Sequence, residues 1–356
     1  MFCPHPKGDL MPGILGWDIG GANVKAAWLP YQAGVTGEAQ TASRPFEIWR
    51  GLDRLQALLQ DLAAEVAREA PQAMALTMTA ELSDVFSTKR EGVLFVLHSV
   101  TKAFPNCPCF VLSLSGEFLP AQDAQRNPLD FAASNWVATA RYLSRQFPHC
   151  LMVDVGSTTT DIIPILAGEL RNLGKTDLDR LIAGELVYTG LLRTHLASIV
   201  HSVPIRGQFC QVSSEYFAIS GDVHLILGHI HLPDYECPTP DGRPVSLDSA
   251  RARLARLVCA DTESLAPDII DGMAAYIYQQ QLEQIARALD QVRSRLPGSR
   301  DIPLVTLGSG AFIAAEVAGR LGLPLINLAE TLGRHAARVA PSLAAAYLLA
   351  AEWERI

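Results

Sequence analysis

Two stretches of this chain, GWDIGGANVKAAW beginning at Gly16 and MVDVGSTTTDIIPI beginning at Met152, follow one pattern. Each reads as an apolar strand, an aspartate, one apolar residue, a glycine, a small polar turn and a second apolar strand, and Asp154 follows Asp18 by 136 residues. An offset close to the size of one domain predicts an internal duplication. Two similar lobes follow, each opening on an Asp-bearing β-hairpin.

The turns carry chemistry as well as geometry. Glycine lets backbone N–H groups approach anionic oxygens with no Cβ in the way, so Gly20, Gly21, Ala22 and Asn23 in the first copy and Gly156, Ser157, Thr158 and Thr159 in the second are read as phosphate cradles. Ile302-Pro-Leu-Val-Thr-Leu then leads into a third glycine turn, Gly308-Ser309-Gly310, and a helix. Asp18 and Asp154, at strand ends, suit a hydrated Mg²⁺ that binds through one or two carboxylates plus phosphate oxygens. Lys25 supplies a point charge to the same anion. Either hairpin alone reads more simply as a turn capped by its aspartate; two copies and a third turn favour an anion site.

Elsewhere the pattern is coarser. Residues 51–70 place leucines at helical spacing, Ala73–Met78 reads as a strand, and the polar 79–84 segment after it has the form of a binding loop at a strand's C-terminal end. Helices are expected around Asn135–Arg145, over 178–195, 247–260 and 267–294, and from Pro341; residues 219–230 look strand-like. His229 and His231 would share a face of that strand, but with no third ligand evident they and His224 are read as structural. The turn-rich PDYECPTPDGRP run from Pro233 is expected on the surface or over a site, with Asp241-Gly242 marking a turn before Arg243.

With 29 Lys+Arg against 37 Asp+Glu the net charge is −8, which argues against a nucleic-acid partner. Hydrophobic residues at 49% exclude a largely disordered chain. No apolar run is long enough to span a membrane, and no signal peptide is apparent, so a cytoplasmic location is the expectation. Seven scattered cysteines read as reduced thiols, and Cys107-Pro-Cys109 lacks the spacing of a zinc site.

From about residue 13 the chain resembles the sugar kinase, Hsp70 and actin superfamily. The segments GWDIGGANVKAA, TMTAELSDVFSTKREGV, MVDVGSTTTDIIPI, RLIAGELVYTG and YECPTPDGRP, the last followed by RARLARLVCAD, resemble more closely its hydantoinase/oxoprolinase-like branch, linked to tetrahydromethanopterin one-carbon metabolism. The resemblance implies an α/β fold of duplicated ribonuclease-H-like, actin-like ATPase lobes with a cleft between them. A flexible extension would cover 1–12, the first lobe 13–148, and the second 149–356 with an inserted segment around 200–245.

It further implies a transferase of methanofuran-type cofactor biosynthesis, which joins a furanmethyl diphosphate to the phenol oxygen of γ-glutamyltyramine and releases diphosphate. In that reading Asp18, Asp154, Lys25 and Mg²⁺ stabilise the departing diphosphate. Glu81 or Asp84 assists the phenol or binds an ammonium group, and Lys89 and Arg90 meet the acceptor's carboxylates. Two other activities are compatible with the superfamily: an ATP-dependent small-molecule kinase or oxoprolinase-like hydrolase, with ATP as cofactor, and a non-catalytic nucleotide switch. Apolar closing helices point to a homodimer.

Overall fold

The computed structural model describes residues 12–32, 34–298, 301–332 and 340–353. The extension expected over 1–12 lies, but for Pro12, outside them. The chain forms two units: the first takes in the chain up to Pro148, Gly168–Leu170 and the residues from Leu332, and the second His149–Ala167 and Arg171–Thr331.

In the first unit, strands Asn23–Gln32, Gly13–Ile19, Ala73–Met78 and Cys109–Leu112 lie side by side in that order. Gly13–Ile19 runs antiparallel to Asn23–Gln32 and parallel to Ala73–Met78. All seven residues of Gly13–Ile19 are buried, as expected of a strand covered on both faces. Leu15, Trp17 and Ile19 pack with the helices Leu55–Val66 and Lys89–Ala103. Gly16 points the other way, as strand alternation requires, and a Cβ there would lie 2.0 Å from Ser342 O. The backbone of helix Ala340–Glu352 therefore sits directly on the strand.

That closing helix is the main departure from the expected lobe boundaries. It follows the second lobe in sequence but packs in the first unit, against Gly13–Ile19 and the helix Asn135–Gln146. Leu343, Leu348 and Leu349 are buried in this packing.

The second unit repeats the sheet arrangement. Strands Thr160–Leu166, Cys150–Val155, Leu304–Leu307 and Leu325–Asn327 stand in that order. The first two form an antiparallel hairpin and the next pairings are parallel. Leu151, Val153 and Val155 share a core with the long helix Pro267–Arg293. The expected α/β architecture of two sheet-containing lobes is the observed one.

Two local expectations fail. Residues 219–230 contain the helix Ser220–Ile226, not a strand. Its start is fixed by Asp222, whose side chain accepts from Ile219 N at 3.1 Å, and a short apolar run has too few residues to distinguish the two periodicities. Over 178–195 only Asp177–Ala183 is helical. Thr176 and Asp179 cap its start, and Gly184, left-handed at φ 72°, ends it. The chain then forms the short strand Leu186–Val187 beside Thr160–Leu166.

Candidate functional site

In the first unit the hairpin register sets Asp18 directly opposite Lys25. Their side chains form an ion pair at 3.0 Å. Asp18 is 2% exposed, and its second oxygen, Oδ1, is buried with no hydrogen-bond partner among the described residues. A buried carboxylate oxygen left in that state is costly unless a cation or donor reaches it. The turn beyond is closed by Gly20 N donating to Asn23 O at 2.9 Å, and the carbonyls of Gly21 and Ala22 accept from Ile48 N and Phe46 N. A Cβ on Gly21 would meet nothing within 4 Å, so the turn opens onto free space there.

Thr79 N donates to Ile19 O, which brings the 79–84 loop to the end of the same hairpin strand. Glu81 is 1% exposed. A Cβ on Gly92 would lie 2.5 Å from Glu81 Cα, so the helix Lys89–Ala103 holds that backbone at close quarters. Asp84 and Arg90 are exposed and Lys89 is half-buried, at the surface edge of the loop and the first turn of the helix that Thr88 caps.

The second unit reproduces the turn. Gly156 N donates to Thr159 O at 2.9 Å, and Asp154 stands opposite Asp161 where the first unit pairs Asp18 with Lys25. The charge at this position is thus reversed between the copies, and Asp161 is bound by the buried Arg180. The predicted third turn comes to the second: Gly310 N donates to Val155 O at 2.8 Å, and a Cβ on Gly308 would lie 2.3 Å from Asp154 Oδ1. Asp154, Gly156 to Thr159 and Gly308 to Gly310 therefore form one local assembly.

A further segment, not anticipated as part of the site, wraps this turn. Leu191 N donates to Gly156 O, and the amides of Leu192 and Arg193 both donate to Ser157 O, at 2.8 to 2.9 Å. Thr160 Oγ1 donates to Thr189 O at 2.8 Å. A Cβ on Gly190 would lie 2.6 Å from Thr158 backbone atoms. The RLIAGELVYTG segment is thus largely scaffolding: Arg180 binds Asp161, the fully buried Glu185 accepts from Leu173 N and Gly174 N and pairs with Arg295, and Thr189-Gly190 packs on the turn.

The histidines are not arranged as a shared strand face. His224 is fully buried on the helix Ser220–Ile226 and its Nδ1 lies 3.1 Å from His229 Nδ1. Burial, with the neighbouring His229 adding to it, pulls the His224 pKa down to about 3. Asp241 accepts from Arg253 and Arg256, so the Pro233–Pro244 run is anchored through its turn. Arg253 is itself buried and pairs at 2.6 Å with buried Asp222.

Among the described residues no group of three or more His, Cys, Asp or Glu side chains forms a metal cage. The six described cysteines are free, and burial raises the Cys107 thiol to about 11 and Cys109 to about 12. No described helix is long and apolar enough to cross a membrane.

Comparison with known proteins bears on this arrangement. The chain is 39% identical over 338 residues to the (4-{4-[2-(gamma-L-glutamylamino)ethyl]phenoxymethyl}furan-2-yl)methanamine synthase of Methanocaldococcus jannaschii, a match that covers 94% of this chain and 97% of that one. It is 34% identical over 203 residues to the synthase of the same name from Methanococcus vannielii, covering 56% of this chain and 90% of that protein. A nucleotide-free structure of acetone carboxylase shares the fold at a TM-score of 0.53 and 10% identity, over 95% of this chain and 70% of that one. The family model for hydantoinase/oxoprolinase matches residues 72–352. By that match, and by the near full-length identity to the M. jannaschii synthase, the chain belongs to the hydantoinase/oxoprolinase family.

Proposed function

We propose that this protein is a synthase of methanofuran-type cofactor assembly, coupling a furanmethyl diphosphate to the phenol oxygen of γ-glutamyltyramine. The observation that carries this reading is the 39% identity to the M. jannaschii synthase across almost the whole of both chains. The site chemistry supports it: two Asp-bearing glycine turns suit a diphosphate as well as the phosphates of a nucleotide.

In the reaction the furanmethyl C–O bond breaks, diphosphate leaves with the electron pair, and the phenol oxygen bonds to the same carbon while losing its proton. The furan ring tolerates positive charge at that carbon, so the main demand is charge stabilisation at the leaving group. Lys25, held in place by Asp18, supplies one positive charge, and turn amides supply further donors. Mg²⁺ fits Asp18, whose Oδ1 lacks a partner among the described residues, and Asp154 is the matching carboxylate at the second unit's turn. When bound, the ion would neutralise diphosphate charge, with water completing its shell.

Glu81 is our candidate for the phenol proton. A phenol of ordinary pKa near 10 needs such an acceptor if it is to attack at neutral pH. Lys89 and Arg90 are assigned to the acceptor's α-carboxylate, and Asp84, exposed on the same loop, to its margin.

The test is turnover with the furanmethyl diphosphate, γ-glutamyltyramine and Mg²⁺, following diphosphate release, beside a parallel incubation with ATP. Diphosphate release that depends on the phenol, without ATP consumption, is expected; ATP turnover coupled to a small metabolite would replace this reading with a kinase or hydrolase. Asp18→Asn and Asp154→Asn should each lower turnover by about a hundredfold or more while the thermal midpoint moves little. Parallel losses of activity and stability would return both aspartates to structural roles.

A further inference from the structure

A hydrogen-bonded chain runs inside the second unit from an exposed imidazole to the second glycine turn. His229 Nδ1 lies 3.1 Å from His224 Nδ1, and His224 Nε2 lies 3.0 Å from Gln281 Oε1. Gln281 Nε2 reaches Gly190 O at 2.9 Å and Thr189 Oγ1 at 3.1 Å. His224 is fully buried and Gln281 is 1% exposed, so each of these polar groups depends on its neighbour in the chain.

The direction of every bond follows from one end. A carbonyl oxygen can only accept, so Gly190 fixes which end of the Gln281 amide faces it, and Oε1 must face His224. His224 Nε2 then carries the proton, its Nδ1 is the acceptor, and His229 must donate from Nδ1. Protonating His224 would set two N–H groups against each other at 3.1 Å, which agrees with its depressed basicity.

The chain ends where the site is assembled. Gly190 packs against Thr158 with no room for a Cβ, and the amides just after it bind Gly156 O and Ser157 O. At its other end both imidazoles contact Phe312, two residues beyond Gly310.

We infer that Gln281 and His224 are positioning residues for anion binding at the second glycine turn. Through Gly190 they hold the 189–193 segment that orients Gly156 to Thr159, and His229 locks the tautomer the relay needs. This deepens the transferase reading and rests on it only for the identity of the anion.

Gln281→Met, similar in volume but unable to make these bonds, is the direct test, with hydrogen exchange and calorimetry on the full chain. Exchange at Leu191, Leu192 and Arg193 should quicken about tenfold or more, as loss of buried hydrogen bonds allows, while Leu304–Leu307 keeps its protection. Affinity for inorganic diphosphate with Mg²⁺ should fall about tenfold, the size expected for lost hydrogen bonds that orient a site.

His229→Phe keeps a ring at this exposed position and removes only the donor. It should loosen the same three amides less, and nitrogen chemical shifts should report that His224 no longer holds a single tautomer. Unchanged exchange at 191–193 in both variants overturns the inference, as does a loss of protection spread evenly over the unit. Failure of the unaltered protein to bind diphosphate would count against the transferase reading, and the exchange results would then decide the relay alone.

Discussion

Gly308 shows how closely single residues define the second turn. Its φ is +85°, and a Cβ would fall 2.3 Å from Asp154 Oδ1 and 2.4 Å from Val155 O. Gly308→Ala should therefore cost about 1 to 3 kcal/mol from the backbone conformation alone, and displace the Asp154 carboxylate besides. Chemical denaturation would measure the first effect, and diphosphate binding the second; a variant with unaltered binding would show that Asp154 tolerates the shift. The two Asp-bearing hairpins and the third glycine turn were legible in the sequence because each is a contiguous motif. Gly190 and Gln281 were not, since 91 residues separate them and only the tertiary fold brings Gln281 Nε2 to Gly190 O. The pairing of Lys25 with Asp18 was also hidden as a motif, but the hairpin register that produces it could have been counted from the turn.

The helix Ser220–Ile226 is the element whose sequence was most misleading and whose environment is most demanding. It carries Asp222 and His224, both wholly buried, the first paired with Arg253 and the second hydrogen-bonded to Gln281. Its apolar residues alone suggest a strand; on the helix Asp222 and His224, two positions apart, point to different sides, and each meets its own buried partner, Arg253 for the first and Gln281 for the second. The histidine has a measurable consequence. Its pKa falls from 6.5 to about 3 on folding, chiefly through burial, so between those values the unfolded chain binds the proton more readily. The stability tied to neutral His224 is complete above pH 6.5 and is lost progressively as pH falls toward 3. His229, also shifted down by burial against the opposing pull of Glu316, acts in the same sense. Thermal midpoints from pH 7 to 4 should drop less steeply for His224→Gln than for the unaltered protein. An equal slope would mean that the imidazole is not held neutral in the fold.

At the scale of the whole chain, the duplication was readable from two hairpins, yet the path of the chain was not. The first unit's sheet is built from residues 13–120, but it is completed by a helix that arrives only after the second unit has been made. Periodicity identifies Ala340–Glu352 as a buried helix without saying which sheet buries it; the complementary feature is Gly16, whose missing side chain admits Ser342 O to the strand backbone. Deleting the chain from residue 340 tests this discontinuity. The deletion removes three buried leucines, Leu343, Leu348 and Leu349, and at about 2 to 5 kcal/mol for each buried leucine the loss rivals the roughly 5 to 15 kcal/mol that holds a typical domain folded. Limited proteolysis of the shortened chain should cut first within residues 13–148 and spare 149–331, because among the described residues the second unit's core draws none from the deleted helix. Cutting that begins in the second unit would show instead that the closing helix stabilises it, and would move the division between the two units.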